Sequence, residues 1–298
     1  MRQTWPLPGT RRAVPHPMGT TVRYTPIDAG PFADVHERFV HAGLEVDWNA
    51  LAKAPHPRAE RERGRRSFVM RALDEQRSLL AFSELLSELC ESGAPIDVIG
   101  ACTRVVRDEA LHVDLCRRMV DALGGWPSDA AEPRWVRSDS RRPLRERILR
   151  TVIGSLCVGE TISVAMLAGV RAHATDDTTQ HVLTRMLADE SFHSRFGWWW
   201  LENFGSEITP SEHQMLERWL PKVLGGVEHM MLPQNAASGA TAATPSAYVH
   251  SPFGSASPEE RGAALSRVLH ETILPGLERS GIAATRAWEA RGGNTTNV

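Results

Sequence analysis

The sequence predicts an all-α protein: a four-helix bundle preceded by an irregular N-terminal arm and followed by additional C-terminal helices. Three observations carry that expectation. Ala, Leu, Arg and Glu dominate long stretches whose apolar residues recur at helical spacing, whereas Tyr occurs only twice in 298 residues and β-branched runs are rare. Four of these stretches are long and are joined in pairs by short turns, the sequence form of a bundle. Inside them Asp-Glu-x-x-His occurs twice, in "RDEALHVDLC" at 107–116 and in "ADESFHSRFG" at 188–197.

Residues 1–66 form the arm, rich in Pro and Gly at its start, with short apolar pieces such as "FADVHERFV" that predict one or two short helices. The first long helix is expected from Ser67 to Cys90, where Gly93 and Pro95 stop it. A second runs from Ile96 to about Leu123 and ends at "GGWP". After a polar, arginine-bearing linker, Pro143 to Ala174 reads as the third and Asp177 to Phe204 as the fourth, so the bundle spans 67–204. Residues 205–298 add two more helices, at 209–231 and 257–282. Each is opened by a Ser or Thr cap with acids in its first turn, and a low-complexity loop at 232–257 separates them.

The formal charge of -2 argues against a nucleic-acid or membrane-surface role. No segment is expected to reach the apolar length that spans a bilayer, and the N-terminus lacks the apolar stretch of a signal peptide. A cytoplasmic protein is the expectation. The four cysteines, Cys90, Cys102, Cys116 and Cys157, contain no C-x-x-C pair and read as reduced core thiols.

In Glu109/His112 and Glu190/His193 the i, i+3 spacing sets a carboxylate and an imidazole on one helix face, about 4.5 Å apart along the axis. One such pair is common and is usually solvated. Two pairs on facing helices, with one further Glu from each remaining helix, make a dinuclear carboxylate site. Glu160 stands about 20 Å from the turn that joins the third and fourth helices, level with Glu190. On the first helix the candidates are Glu75, Glu84 and Glu88. Glu75 matches the height of Glu109 and shares its face with Leu79, Phe82 and Leu86, whereas Glu84 falls about 13 Å short. The expected set is therefore Glu75, Glu109, His112, Glu160, Glu190 and His193. Hard carboxylate donors with one His per metal suit two iron ions, with manganese–iron as the alternative pair. Asp108 and Asp189 take an outer role, each accepting the second N–H of the histidine from the opposite motif, Asp108 to His193 and Asp189 to His112.

"ALDEQRSLLAF", "RDEALHVDLC", "CVGETISVAMLAGV" and "ADESFHSRFGWWWL" resemble bacterial ferritin-like domain proteins of the di-iron carboxylate superfamily, over residues 67–204. The resemblance implies a ferritin-like bundle with the same six residues as ligands. Three classes of activity follow from it. A non-haem di-iron oxidase or oxygenase activates O2 and oxidises a small organic substrate with electrons from an external donor. A ferritin or rubrerythrin-like protein oxidises iron or removes peroxide. A ribonucleotide-reductase-like protein needs a redox tyrosine near the metals, and Tyr24 and Tyr248 both lie outside the bundle. No rubredoxin-type cysteine pairs are present, and the elements added to the bundle suit substrate enclosure, so the oxygenase leads. A non-catalytic metal-binding interaction protein is the remaining alternative, and a homodimer is compatible with any of these.

The chain is also distantly similar to arylamine N-oxygenases, which carry an extra histidine ligand one turn before the last Glu-x-x-His. Met186 stands at that position, so His229 or His270 from the added helices would have to supply the ligand. The three indoles of "WWW" at 198–200 spread around their helix, and at least one faces the added helices. Loop 232–257 has the composition of a lid or of an unstructured linker. Finally, seven arginines lie in 57–77 and seven in 134–150. If the first and third helices run parallel, both clusters flank one end and favour an anionic or carrier-bound substrate.

Overall fold

The computed structural model describes residues 30–42, 44–127, 139–231 and 250–293, and among them every regular element is helical. Short helical pieces at 31–41 and Trp48–Lys53 precede four long helices: α1 (Arg58–Glu91), α2 (Ile96–Ala122), α3 (Leu144–His173) and α4 (Asp177–Phe204). After them come α5 (Pro210–Met231), α6 (258–279) and α7 (Ala284–Glu289). Tyr24, Tyr248, the arginine-bearing stretch 128–138 and most of the expected loop 232–257 lie outside the described residues.

The caps expected for α5 and α6 form, and α4 gains one that the sequence reading did not name. The Asp176 side chain accepts from the Thr179 N–H at 2.8 Å and opens α4, and Ser257 and Glu260 form a reciprocal capping box on α6. Thr209 and Glu212 bond reciprocally at the start of α5, at 2.8 and 3.3 Å. The start of α1 differs from expectation. It begins at Arg58 rather than Ser67, so the boundary at 66/67 falls inside a helix. Gly64 is not a breaker but a packing necessity, since a Cβ there would lie 2.4 Å from the Phe253 ring. Glu62 also holds Arg65 and Arg66 at i+3 and i+4, at 2.5 and 2.7 Å, supporting the extra turns.

Two apolar clusters set the helix directions. One contains Phe82, Leu85, Cys102, Val105, Leu156, Val158 and Phe196; the other contains Phe68, Leu73, Leu111, Leu115, Leu167, Val182 and Met186. Along α1 and α4 the chain passes from the second cluster to the first, and along α2 and α3 from the first to the second. Thus α1 and α3 run antiparallel, which corrects the expectation of parallel helices. Arg147 near the start of α3 bonds Glu88 near the end of α1 at 2.8 Å. The arginines at the starts of α1 and α3 therefore lie at opposite ends. The described ones are largely paired: Arg142 and Arg150 with Glu146 at 2.8 and 2.9 Å, and Arg145 with Glu212 at 2.8 Å. Among the described residues the two arginine groups therefore share no common mouth, so they no longer point to an anionic or carrier-bound substrate.

Helix α3 also departs from expectation, which allowed no segment of membrane-spanning apolar length. Leu144–His173 is long and apolar enough, with a mean hydropathy of 1.7 over its most apolar window, to cross a membrane by length and composition. Half of that window is buried inside the protein, with Ile153, Leu156, Cys157 and Val158 in the core. Its middle third is π-helical from Thr151 to Glu160, a wider winding common near functional sites.

Helix α4 meets this segment closely. A Cβ on Gly197 would lie 2.8 Å from Leu156 Cβ and 2.9 Å from the Cys157 backbone nitrogen, which cannot withdraw like a side-chain tip. We expect Gly197→Ala to destabilise the protein by about 1–3 kcal/mol through overpacking. An unchanged denaturant midpoint would show that α3 and α4 part without cost.

Candidate metal centre

Between the two apolar clusters lies a polar layer to which all four long helices contribute. Glu75 comes from α1, Glu109 and His112 from α2, Glu160 from α3, and Glu190 and His193 from α4, and each is at most 6% exposed. Glu75, Glu109, His112 and Glu190 form one group whose donor atoms lie within 4.8 Å of one another. Glu109, Glu160, Glu190 and His193 form a second. Glu109 and Glu190 belong to both. Glu84 is half-buried and outside both groups, and Glu88 is engaged by Arg147.

Both imidazoles turn Nδ1 inward. His112 Nδ1 lies 3.5 Å from Glu75, 3.9 Å from Glu109 and 3.6 Å from Glu190. His193 Nδ1 lies 3.1 Å from Glu109 and 3.2 Å from Glu190, and the two rings are 5.7 Å apart. The outer nitrogens face the aspartate of the opposite motif: His112 Nε2 is 3.3 Å from Asp189, and His193 Nε2 is 3.7 Å from Asp108. This crossing follows from the antiparallel packing of α2 and α4, which sets residue 108 beside 193 and 112 beside 189.

Burial dominates the electrostatics. It pushes the Glu109 carboxyl up to about 8, with Glu190 and Glu75 adding repulsion against the opposing pull of His193. Glu160 is likewise raised by burial, then by Glu190, to which its retained proton bonds. Glu190 is the charged partner: burial raises it, but hydrogen bonds from Glu160 and His193 prevail and hold it down to about 2. Burial lowers both histidines, yet the surrounding carboxylates win and raise them well above 6.5. Both Glu109 oxygens and His112 Nδ1 lack hydrogen-bond partners. Buried unpaired polar atoms are costly, and here they point at one shared space. The donor set therefore suits cations.

One feature of the outer layer escaped the sequence reading. The repeat is longer than Asp-Glu-x-x-His: Arg104 and Arg185 each precede the aspartate by four residues, giving Arg-x-x-x-Asp-Glu-x-x-His at 104–112 and 185–193. Arg104 bonds Asp108 at 3.2 Å and Arg185 bonds Asp189 at 2.7 Å, while Arg107 adds a bond to Asp108 at 3.0 Å. Arg185 also reaches Asp108 at 3.8 Å and so spans both motifs. Burial would raise the Asp108 carboxyl, but the His193 imidazole 3.7 Å away and the hydrogen bond from Arg107 hold it to about 2. Aligning the two copies one turn further upstream exposes the arginines.

His229 and His270 are exposed and belong to neither group, and Met186 is fully buried in the second apolar cluster. The centre thus has two histidines among the described residues. Trp198 packs on Gly276 of α6 and donates to Thr161, beside Glu160, at 3.1 Å; Trp199 is exposed and Trp200 buried. Cys102, Cys116 and Cys157 are buried free thiols, whereas Cys90, expected in the core, is exposed. Comparison with protein-family models, with curated proteins and with solved structures finds no match for this chain.

These charges fix a pH dependence for the metal-free protein. Glu109, raised from 4.5 to about 8, opposes folding increasingly as pH rises across that interval, because the unfolded chain ionises first. The raised histidines act in the same direction, their stabilisation being complete below pH 6.5 and lost as pH rises through their folded values. The lowered Glu190 contributes stability that is lost only as pH falls from 4.5 toward 2. In chelator-treated protein the thermal midpoint should fall from about pH 5 to about pH 8, and Glu109→Gln should flatten the slope. A midpoint that climbs over this range contradicts the charge assignment.

Proposed function

We propose that the protein is a ferritin-like, non-haem di-iron oxidase or oxygenase that uses O2 to oxidise a small organic substrate, with reducing electrons from an external donor. The observation that carries this reading is the sharing of Glu109 and Glu190 by two buried donor groups, each completed by one further Glu and one His. That is the ligand pattern of a carboxylate-bridged pair of ions. Four carboxylates balance the charge of two divalent cations, and oxygen donors with a single imidazole per ion favour iron, or manganese with iron, over zinc. The motif resemblance points the same way.

Glu75 and His112 would hold one ion and Glu160 and His193 the other, with Glu109 and Glu190 between them. Bound reduced iron supplies the electrons and open coordination positions that O2 activation requires. The protein's own part is orientation and proton control. Asp189 accepts the outer N–H of His112, and Asp108 faces that of His193, fixing each ring with Nδ1 inward. Loading must displace the protons held on Glu109, Glu160 and the inward imidazole nitrogens, so iron affinity should rise with pH. The apolar residues on both sides keep bulk water from the layer. The C-terminal helices favour an oxygenase over a simple storage unit, since α6 packs on α4 through Gly276 and Trp198 and so backs the layer with an additional wall.

Anaerobic loading should give two irons per chain. Glu75→Ala, Glu109→Ala and Glu160→Ala should each bind fewer than two, while Glu84→Ala keeps both. Asp108→Ala and Asp189→Ala should weaken metal affinity or activity about 10–100-fold without abolishing binding, as outer-layer changes do. Arg185→Gln should act in the same direction, because it loosens Asp189 and its link to Asp108. The deciding measurement is O2 uptake by the reduced, iron-loaded protein. Consumption that stops after a few turnovers and resumes with substrate and donor is expected of the oxygenase. Continued oxidation of added Fe(II) would assign the protein to iron storage, and no O2 uptake would leave a metal-binding protein without this chemistry.

A further inference from the structure

A second group of metal-type ligands lies at the end of α3, away from the polar layer. His173 is the last residue of α3, His250 opens the described segment 250–257, and Glu260 stands in the first turn of α6. Their donor atoms lie within 4.8 Å of one another. His173 Nε2 is 2.9 Å from Glu260 Oε1, and His250 Nε2 is 3.7 Å from the same oxygen. The side chains are 30%, 34% and 41% exposed, so an ion from solvent can reach them.

We propose that His173, His250 and Glu260 form a surface site for a divalent transition-metal ion of the zinc class, with water completing the coordination. Two histidines and one carboxylate are a usual three-ligand set for zinc with an open fourth position. The surroundings prepare two of the ligands. His250 Nδ1 lies 3.1 Å from the Ser255 carbonyl oxygen, which selects the tautomer with Nδ1–H donating and Nε2 presenting its lone pair. Glu260 Oε2 is held by the Ser257 N–H at 2.7 Å, which leaves Oε1 aimed at the two rings.

A third cluster, His36, His41 and Asp114, shows what disqualifies such a group. There the carboxylate is occupied by Arg117 and Arg118 at 2.7 and 2.8 Å, and a further cation would meet two fixed positive charges. Glu260 has only His173 and His250 as ion-pair partners among the described residues. The C-terminal end of α3 adds a negative dipole end beside His173.

The two rings now stack almost parallel, with centroids 3.5 Å apart and planes 7° from one another. Zinc bound at about 2.0–2.1 Å from nitrogen requires both lone pairs to converge on one point. One ring must therefore turn about its Cβ–Cγ bond, and the exposed edges of the pair permit it. The ion takes the place of the direct contact between His173 Nε2 and Glu260 Oε1. Occupancy would pin segment 250–257 and the start of α6 to the end of α3. That segment is already seated through Phe253, 1% exposed, and through Pro252, whose carbonyl accepts from Thr175 and Asp176 at 2.9 and 3.0 Å.

The test is calorimetric titration of the full chain with Zn2+ alone, beside His173→Ala, His250→Ala and Glu260→Gln. Gln at the third helical position retains the capping box, so the last variant removes the ligand charge without removing the helix cap. The wild type should bind one zinc per chain more than either histidine variant, and Glu260→Gln should bind that zinc at least about tenfold more weakly. Glu109→Ala should keep the additional zinc, because this site does not depend on the buried layer. Zinc should raise the wild-type melting temperature more than that of His173→Ala at equal concentration. Equal zinc stoichiometry in the wild type and either histidine variant would overturn the proposal, whatever the buried centre binds.

Discussion

The structure depends on placing four glutamates and two histidines in one layer across an apolar interior. Isolated buried charges of this number would oppose folding. The protein meets this in two shells. Inside, protons on Glu109 and Glu160 and charge on the histidines reduce the repulsion, leaving Glu190 as the ionised partner. Outside, Asp108 and Asp189 face the histidines and are themselves held by Arg104, Arg107 and Arg185. Charge thus alternates outward from the centre, and Arg185, in reach of both aspartates, joins the two halves of the layer.

The two halves are supported differently. On the α3 side, the π-helical segment ends at Glu160, and α4 approaches it closely at Gly197. Helix α5 leans on the same segment, where Trp219 lies over Gly154 and Arg150 stacks on the Trp219 ring at 4.9 Å. Helix α6 completes the support through Gly276 and Trp198. On the α2 side the N-terminal pieces do this work, with His41 bonding the buried Asp114 at 2.6 Å just beyond His112. The elements added before and after the long helices are therefore buttresses for different ends of the layer. The apolar character of α3 belongs to this arrangement, because one of its faces must fill the core while Glu160 breaks it once.

Which residues could meet was legible where helix geometry alone decides. An i, i+3 spacing puts Glu109 with His112 and Glu190 with His193 on any α-helix, whatever surrounds them. Height above a turn distinguished Glu75 from Glu84, because rise per residue is fixed. The cross-pairing of Asp108 and Asp189 was accessible for the same reason, once two copies of one motif face each other on antiparallel helices. The extension of the motif to Arg104 and Arg185 was equally present in the letters, since one more turn upstream repeats the same residue.

Periodicity, caps and ligand spacing thus determined the long helices, α5 and α6, their ends to within a turn except at α1, and the inward-facing acids and histidines, but not α7 at Ala284–Glu289. Tertiary structure alone decided the direction of α3 against α1, because the connection from Leu123 to Pro143 is long enough to return the chain to either end of the helices. It decided that Gly64 lies within a helix, because the reason is a ring from residue 253. It also decided which charges are paired and which histidines are brought together, as His173, His250 and Glu260 are remote in the chain. Local spacing is set by backbone geometry, but burial and neighbours depend on where distant segments pack.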